Sequence, residues 1–63
     1  MRQHEPALVF PDGHYAEEWR VGWIDPRGET EVTIFGGPNA RERAIRYADR
    51  QYRLFEEVSL NHP

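Results

Sequence analysis

The residues that could support metal chemistry are few in this chain and widely spaced. The three histidines, His4, His14 and His62, stand far apart, and the best combination, His14 with Glu17 or Glu18, would make a partial site of two or three ligands. A catalytic zinc ion needs three protein ligands and a structural zinc ion needs four. The chain has no cysteine to supply a thiolate. We therefore predict that it has no metal site and no bound cofactor.

Nucleophilic and acid–base catalysis have no better basis. Ser59 is the only serine, and Thr30 and Thr33 have no histidine near them in the sequence. Neighbouring acids occur at 17–18 and at 56–57, but acid–base catalysis needs a cleft that shifts the pKa of a carboxyl group. A single sheet with one helix has no room for such a cleft at this size, so we predict that the chain is not an enzyme.

Length and composition indicate one small folded domain. The 63 residues correspond to a single domain that buries a modest fraction of its surface. Eight aromatic residues can still build a core. The net charge of −3 is opposite to that of a typical nucleic-acid binder. The absence of cysteine, of a signal peptide and of a membrane-length apolar run favours a cytoplasmic location.

The apolar pattern predicts an α+β fold, with a two- or three-stranded antiparallel sheet packed on one C-terminal helix. Strands are expected at 7–10, 19–24 and 29–35, and the helix from 40 to about 58. Residues 1–6 are expected to form a loose arm and residues 59–63 a tail. The segment 15–18 is compatible with a strand or with a single helical turn.

The turn at 25–28 leaves two possible strand registers. Gly28 is expected to have a positive φ. If all four turn residues form the loop, Ile24 faces Glu29, and one face of the sheet is uniformly apolar. A three-residue loop shifts the pairing by one and mixes polar and apolar side chains on both faces. The cleaner separation favours the four-residue loop.

The helix is expected to begin after Asn39, which would act as an N-cap with Glu42 as its capping-box partner. The preceding Gly36-Gly37-Pro38 run lacks the lysine and the spacing of a phosphate-binding loop, so it is interpreted as a break between strand and helix. The predicted core residues are Trp19, Val21, Trp23, Val32, Ile34, Ala44, Ala48, Tyr52 and Phe55.

About half of the chain resembles a known class of domain. The run Trp19-x-Val21-x-Trp23-x-Asp25-Pro26-x-Gly28, followed by Phe35 and by alanines at 40, 44 and 48, resembles the arm-type DNA-binding domains of tyrosine recombinases and the related AP2-like domains of plants. The resemblance implies a three-stranded sheet followed by one helix. It also implies that the sheet face away from the helix enters the DNA major groove. On this sequence that face would carry Arg20, Ile24, Glu29, Glu31, Thr33 and Phe35.

Only one of those six residues is a cation, so we predict a non-enzymatic protein-binding module, with an arm-type DNA-binding domain as the alternative. In size and style the chain resembles small accessory proteins of phages and mobile elements, including anti-CRISPR inhibitors. That resemblance implies an inhibitor of a host nucleic-acid-handling complex. We also expect a homodimer, because several apolar side chains lie outside the predicted core. The predicted partner-binding residues are Arg20, Ile24, Arg27, Glu29, Glu31 and Phe35.

Overall fold

Four β-strands and one helix make up the described part of the chain. The computed structural model describes residues 5–15 and 17–58. The strands are β1 (Ala7–Pro11), β2 (Trp19–Ile24), β3 (Thr30–Phe35) and β4 (Phe55–Glu57), and helix α1 (Ala40–Tyr52) lies between β3 and β4. The predicted α+β class is confirmed, but the sheet has one strand more than expected and is mixed rather than antiparallel, because β4 runs parallel to β1. Most of the predicted arm and all of the predicted tail lie outside the described residues.

The strand order is β3-β2-β1-β4. β1 and β3 are both antiparallel to β2, whereas β4 runs parallel to β1. Because β3 and β4 form opposite edges, the chain must cross the sheet between them, and α1 makes that crossing. The helix therefore covers one face of the sheet, and no helix of the described residues lies against the other face.

Three alanines allow α1 to lie close to the sheet. Ala40, Ala44 and Ala48 are spaced four apart, so they share one side of the helix, and all three are buried. Ala44 and Ala48 pack in one cluster with Val9 and Val21, whose side chains are fully buried. The centre of the core is consequently built from small side chains.

Aromatic side chains enclose this centre. Trp23 and Tyr52 stack with their ring centroids 4.8 Å apart, and Phe35 and Tyr47 lie 5.4 Å apart in a tilted arrangement. Trp19 also packs against the core. Aromatic pairs at these distances add about 0.5–1.5 kcal/mol each beyond the burial of their area, which helps a domain with so few fully buried residues.

The turn between β2 and β3 is a three-residue loop. The backbone N–H of Gly28 donates to the carbonyl of Asp25, and the N–H of Asp25 donates to the carbonyl of Glu29, both at 2.8 Å. Asp25 Oδ1 accepts from the backbone N–H groups of Arg27 and Glu29, both at 2.9 Å. Gly28 has φ 88°, which confirms the predicted positive φ. This arrangement is a type I turn followed by a left-handed bulge residue, a common hairpin connection.

The predicted strand register is therefore wrong by one residue. Ile24 pairs with Thr30, and Trp19 pairs with Phe35. Since side chains alternate between the two faces of a strand, the shift places Phe35 on the face that α1 covers. It places Val32 and Ile34 on the opposite face, where they are 50% and 55% exposed. Val32 and Ile34 are thus not core residues, whereas the other seven predicted residues belong to the core or pack against it.

The polar residues that the register brings under the helix find partners there. The Thr33 hydroxyl donates to the Tyr47 hydroxyl at 3.4 Å. The Tyr52 hydroxyl donates to a carboxylate oxygen of Glu31 at 3.2 Å. Burial, contact with Tyr47 and the nearby Glu31 charge raise the pKa of Tyr52 above its ordinary value. The inner face of β3 thus carries both polar and apolar side chains, and the hydroxyls of Tyr47 and Tyr52 hydrogen-bond to the polar ones.

The helix ends earlier than predicted. α1 stops at Tyr52, and Arg53 adopts a positive φ of 68° while its N–H donates to the carbonyls of Ala48 and Asp49. The chain then reverses into β4, where Phe55 pairs with Ala7. The expected continuation to about 58 is wrong because the left-handed backbone of Arg53 ends the helix, and Phe55 packs against the core from β4.

The start of the helix is at the predicted position but uses a different cap. Asn39 is the N-cap residue, yet its backbone is left-handed with φ 61° and its side chain makes no capping hydrogen bond. The predicted capping box with Glu42 is therefore wrong. Asparagine tolerates this conformation better than most residues. The Arg43 guanidinium secures the segment by donating to the carbonyls of Gly36 and Pro38.

The left-handed conformation of Gly28 can be tested against a matched glycine. We expect Gly28→Val to lower the free energy of unfolding by more than about 1 kcal/mol, because a β-branched residue resists positive φ. Gly13 does not have a positive φ. An added Cβ would meet no atom within 4 Å at either Gly13 or Gly28, so the two sites differ in backbone conformation and not in available space. Gly13→Val should change stability by less than about 0.5 kcal/mol. Equal unfolding midpoints for the two variants in urea would contradict the turn.

The register can be tested with adjacent residues of β3. Phe35→Thr should destabilise the protein by about 3 kcal/mol, since it removes an aromatic side chain from the core. Ile34→Thr should cost less than about 1 kcal/mol, because Ile34 lies outside and threonine suits a strand. The measurement is thermal unfolding followed by circular dichroism at low protein concentration. A larger loss of stability in Ile34→Thr than in Phe35→Thr would support the register of the four-residue loop instead.

Candidate functional site

The sheet face opposite α1 is apolar across three strands. We call it the outer face, and it carries Leu8, Phe10, Arg20, Gly22, Ile24, Thr30, Val32, Ile34 and Glu56. Leu8 and Ile24 are 41% and 50% exposed, and Val32 and Ile34 are at least as open. Single exposed aliphatic residues are common on protein surfaces, but neighbouring ones on adjacent strands form a patch of the kind found at interaction sites.

A shallow depression of about 430 Å³ lies in the outer face. Its floor exists because Gly22 has no side chain, and the Phe10 ring lies 3.5 Å from the position that a Cβ at Gly22 would occupy. Leu8, Ile24 and Val32 contribute apolar walls, and Glu5 and Glu56 also belong to the lining. The depression can accept an apolar side chain and offers negative charge beside it.

The cation of the outer face is engaged within the protein. Arg20 lies 2.6 Å from Asp12 Oδ2, and the Asp12 side chain is only 5% exposed. Asp12 Oδ1 accepts from the backbone N–H groups of His14 at 2.7 Å and of Tyr15 at 3.1 Å. The backbone hydrogen bond from His14 and the adjacent Arg20 hold the pKa of Asp12 below its ordinary value. The Arg20 guanidinium is thus tied to the connection between β1 and β2.

That connection is a turn rather than a strand. The backbone N–H of Glu18 donates to the carbonyl of Tyr15 at 3.0 Å, and the N–H of Asp12 donates to the carbonyl of Glu18 at 2.8 Å. The described residues of 15–18, which are Tyr15, Glu17 and Glu18, belong to neither a strand nor a helix.

The six predicted partner-binding residues do not form one surface. Arg20 and Ile24 lie on the outer face, and Arg27 and Glu29 lie in the exposed β2–β3 turn. The remaining two, Glu31 and Phe35, face the helix, where Glu31 accepts from Tyr52 and Phe35 contacts Tyr47. The expectation that Phe35 anchors an outer surface is corrected by the observed register.

Sequence reasoning missed four apolar residues of the outer face: Leu8, Phe10, Val32 and Ile34. For Val32 and Ile34 the alternation in β3 was recognised, but the wrong loop length assigned them to the inner face. For Leu8 and Phe10 the signal was their spacing of two in a short strand. This spacing identifies outer-face residues only when β1 is known to pair with β2 in the middle of the sheet.

A second depression of about 380 Å³ lies at the start of α1, with Glu17, Trp19 and Arg41 in its lining. Arg41 forms two hydrogen bonds of 2.8 Å to Glu57, and its guanidinium carbon lies 5.9 Å from the Trp19 ring centroid. Hydrogen bonding from Arg41 lowers the pKa of Glu57. Because Arg41 is paired and Glu17 adds negative charge, this depression offers no free cation to an anionic ligand.

Residues 5–15 and 17–58 contain no group of three or more histidine, cysteine, aspartate or glutamate side chains placed to hold a metal ion. His4, Ser59 and His62 lie outside this part of the chain. Within the same residues, neither the length nor the polarity of α1 would allow it to span a bilayer.

Comparison with known proteins adds no relative: no protein-family model, no curated protein and no solved structure matches this chain. The resemblances to arm-type domains and to phage accessory proteins stay predictions.

The ion pair of Asp12 and Arg20 predicts a pH dependence. A carboxyl group whose pKa is lowered by folding stabilises the folded state above its ordinary pKa, and this contribution is lost as the pH falls through the lowered value. Asp12→Asn keeps a side-chain acceptor for His14 but removes the charge. We therefore expect Asp12→Asn to melt below the parent protein at pH 7, and the difference to shrink as the pH falls through the lowered pKa of Asp12.

Folding also lowers the pKa of Glu57. Glu57 is present in both proteins, so its contribution cancels in the difference between their melting temperatures. A difference that persists unchanged from pH 7 to pH 2 would contradict the role of the Asp12 charge.

Proposed function

We propose that this chain is a non-enzymatic protein-binding module that uses its outer face as the contact surface. The observation that carries the proposal is the group of half-exposed aliphatic side chains on three adjacent strands: Leu8, Ile24, Val32 and Ile34. Covering such side chains removes apolar area from water, worth about 25 cal/mol per Å² before the costs of association. The Gly22 depression gives a partner's apolar side chain a place to insert.

The charges around the outer face favour a partner with a basic surface. Glu5 and Glu56 line the depression, and Glu29 is exposed in the adjacent turn. Charges at the border of an interface mainly steer encounter and select partners. The proposed partner is thus a protein with an apolar side chain flanked by arginine or lysine. A surface that binds nucleic acid is also basic. This supports the proposal that the chain inhibits a host nucleic-acid-handling complex by binding to such a surface.

The alternative function, an arm-type DNA-binding domain, has less support. In that class the outer face would contact DNA, and contacts to phosphate depend on cations. Here the face is mainly aliphatic, its arginine is paired with Asp12, and Glu56 would lie toward the phosphates. Arg27 in the turn is exposed and is the remaining cation near the face within residues 5–15 and 17–58. One arginine is too little charge for strong binding to DNA.

The proposal can be tested with one variant on the outer face and one away from it. Ile24→Asp places a charge in the middle of the apolar patch at a side chain that is already half exposed, so the fold should persist. Tyr15 is 63% exposed in the β1–β2 connection, and Tyr15→Asp provides a matched control. Each protein is immobilised and exposed to extract of the source cells, and the retained proteins are identified by mass spectrometry.

We expect a partner that the parent protein and Tyr15→Asp both retain and that Ile24→Asp loses, with affinity for the purified partner reduced at least about tenfold. Retention that is equal for all three proteins would reject the outer face as the contact surface. In parallel, a mobility-shift assay with labelled duplex DNA should show no binding. A shift that weakens steeply with salt would support the DNA-binding alternative instead.

A further inference from the structure

The two edges of the sheet are protected to very different degrees. β4 is three residues long and contains Glu56 and Glu57, of which Glu57 is paired with Arg41. Short length and charge are common ways to prevent an edge strand from pairing with another chain. β3 has six residues, Thr30-Glu31-Val32-Thr33-Ile34-Phe35, without proline, glycine or a basic residue. Four of the six are β-branched, a composition that favours strand pairing.

The backbone groups exposed at the β3 edge follow from the turn. Asp25 and Glu29 form a hydrogen-bonded position of the β2–β3 ladder, and such positions alternate along an antiparallel pair. Glu31, Thr33 and Phe35 therefore direct their N–H and C=O groups toward β2, and Thr30, Val32 and Ile34 direct theirs away from it. The β1–β2 pair obeys the same alternation, since Asp12 donates to Glu18 across it. No described strand lies beyond β3.

We propose that β3 pairs with β3 of a second copy of this chain, antiparallel and centred on Val32. In this register Val32 faces Val32 of the other copy and Thr30 faces Ile34, so all three residues with outward backbone groups exchange hydrogen bonds. The two four-stranded sheets become one continuous sheet of eight strands. The interaction differs from the contact surface proposed above, because its hydrogen bonds come from backbone groups at the β3 edge; Val32 and Ile34 contribute side chains to both.

The sequence of β3 fits a copy of itself. A twofold axis at Val32 places Glu31 opposite Thr33, so the single charged residue of the strand does not meet its own equivalent. Like charges directly opposite one another destabilise a sheet, and an axis at Glu31 would create that conflict. On the outer face, Val32 meets Val32 and Thr30 meets Ile34, which are β-branched pairs that pack well across strands. The symmetric pairing is also the simplest closed arrangement for identical chains.

Sedimentation and amide hydrogen exchange test the pairing in the parent protein. At high micromolar concentration we expect a species of about twice the 7.5 kDa chain mass. The amides of Thr30, Val32 and Ile34 should become protected as the concentration rises, whereas those of Glu31 and Thr33 should be protected at all concentrations. A monomer at every concentration overturns the proposal. So does a dimer in which the Val32 amide exchanges as fast as in the monomer.

Two substitutions at Val32 separate the backbone from the side chain. Val32→Pro removes the outward N–H without removing a β2–β3 hydrogen bond, and proline is tolerated at such edge positions. Val32→Ala removes more of the side chain but keeps the N–H. We expect Val32→Pro to weaken dimerisation at least tenfold more than Val32→Ala does. Equal effects would overturn the edge pairing. If Val32→Pro loses its circular dichroism signal, Ile34→Pro and Ile34→Ala replace the pair with the same criteria.

The variant Ile24→Asp separates this proposal from the proposed function. Ile24 lies on the outer face but not at the β3 edge, so this change should leave dimerisation within about twofold of the parent. A monomeric Ile24→Asp variant would show that the copies meet through their outer faces, which overturns the edge pairing. Loss of partner binding by Ile24→Asp with dimerisation intact supports both proposals independently.

Discussion

The turn from Asp25 to Glu29 determines how the rest of this protein is arranged. A three-residue loop that ends on a left-handed glycine sets Ile24 opposite Thr30, and side-chain alternation then extends that choice along all of β3. A loop longer by one residue would turn Phe35 outward and bring Val32 and Ile34 under the helix. The carboxylate of Asp25, which accepts two backbone N–H groups, stabilises the shorter loop directly.

That register also determines which side chains lie on each face of the sheet. The inner face meets a helix whose contact side consists of alanines, so the helix comes close and aromatic side chains fill the space at its flanks. The face also accommodates Thr33 and Glu31, because tyrosine hydroxyls from α1 reach both. With one helix available for a four-stranded sheet, the aliphatic residues of the other face remain in water.

Local signals in the sequence were sufficient for part of this architecture. The first three strands, the left-handed Gly28 and the start of α1 each depend on neighbouring residues, and all were predicted. The register depends on a difference of one residue in loop length, and binary patterning could not decide it because both faces of the sheet contain apolar residues. β4 was missed because its residues also fit helical spacing and its pairing with β1 is non-local. Of the candidate site, Arg20 and Ile24 were placed on the correct face, whereas Glu31 and Phe35 followed the wrong register.

The parallel pairing of β4 with β1 also has a consequence for how the chain folds during synthesis. Ala7 and Phe55 are neighbours in space although most of the sequence separates them. The hairpins formed by β1, β2 and β3 involve nearby residues and can assemble as they leave the ribosome. The free side of β1 must wait until residues 55–57 have emerged. Contacts of such long range slow folding, and until residues 55–57 pair with it, one side of β1 is itself an unpaired edge.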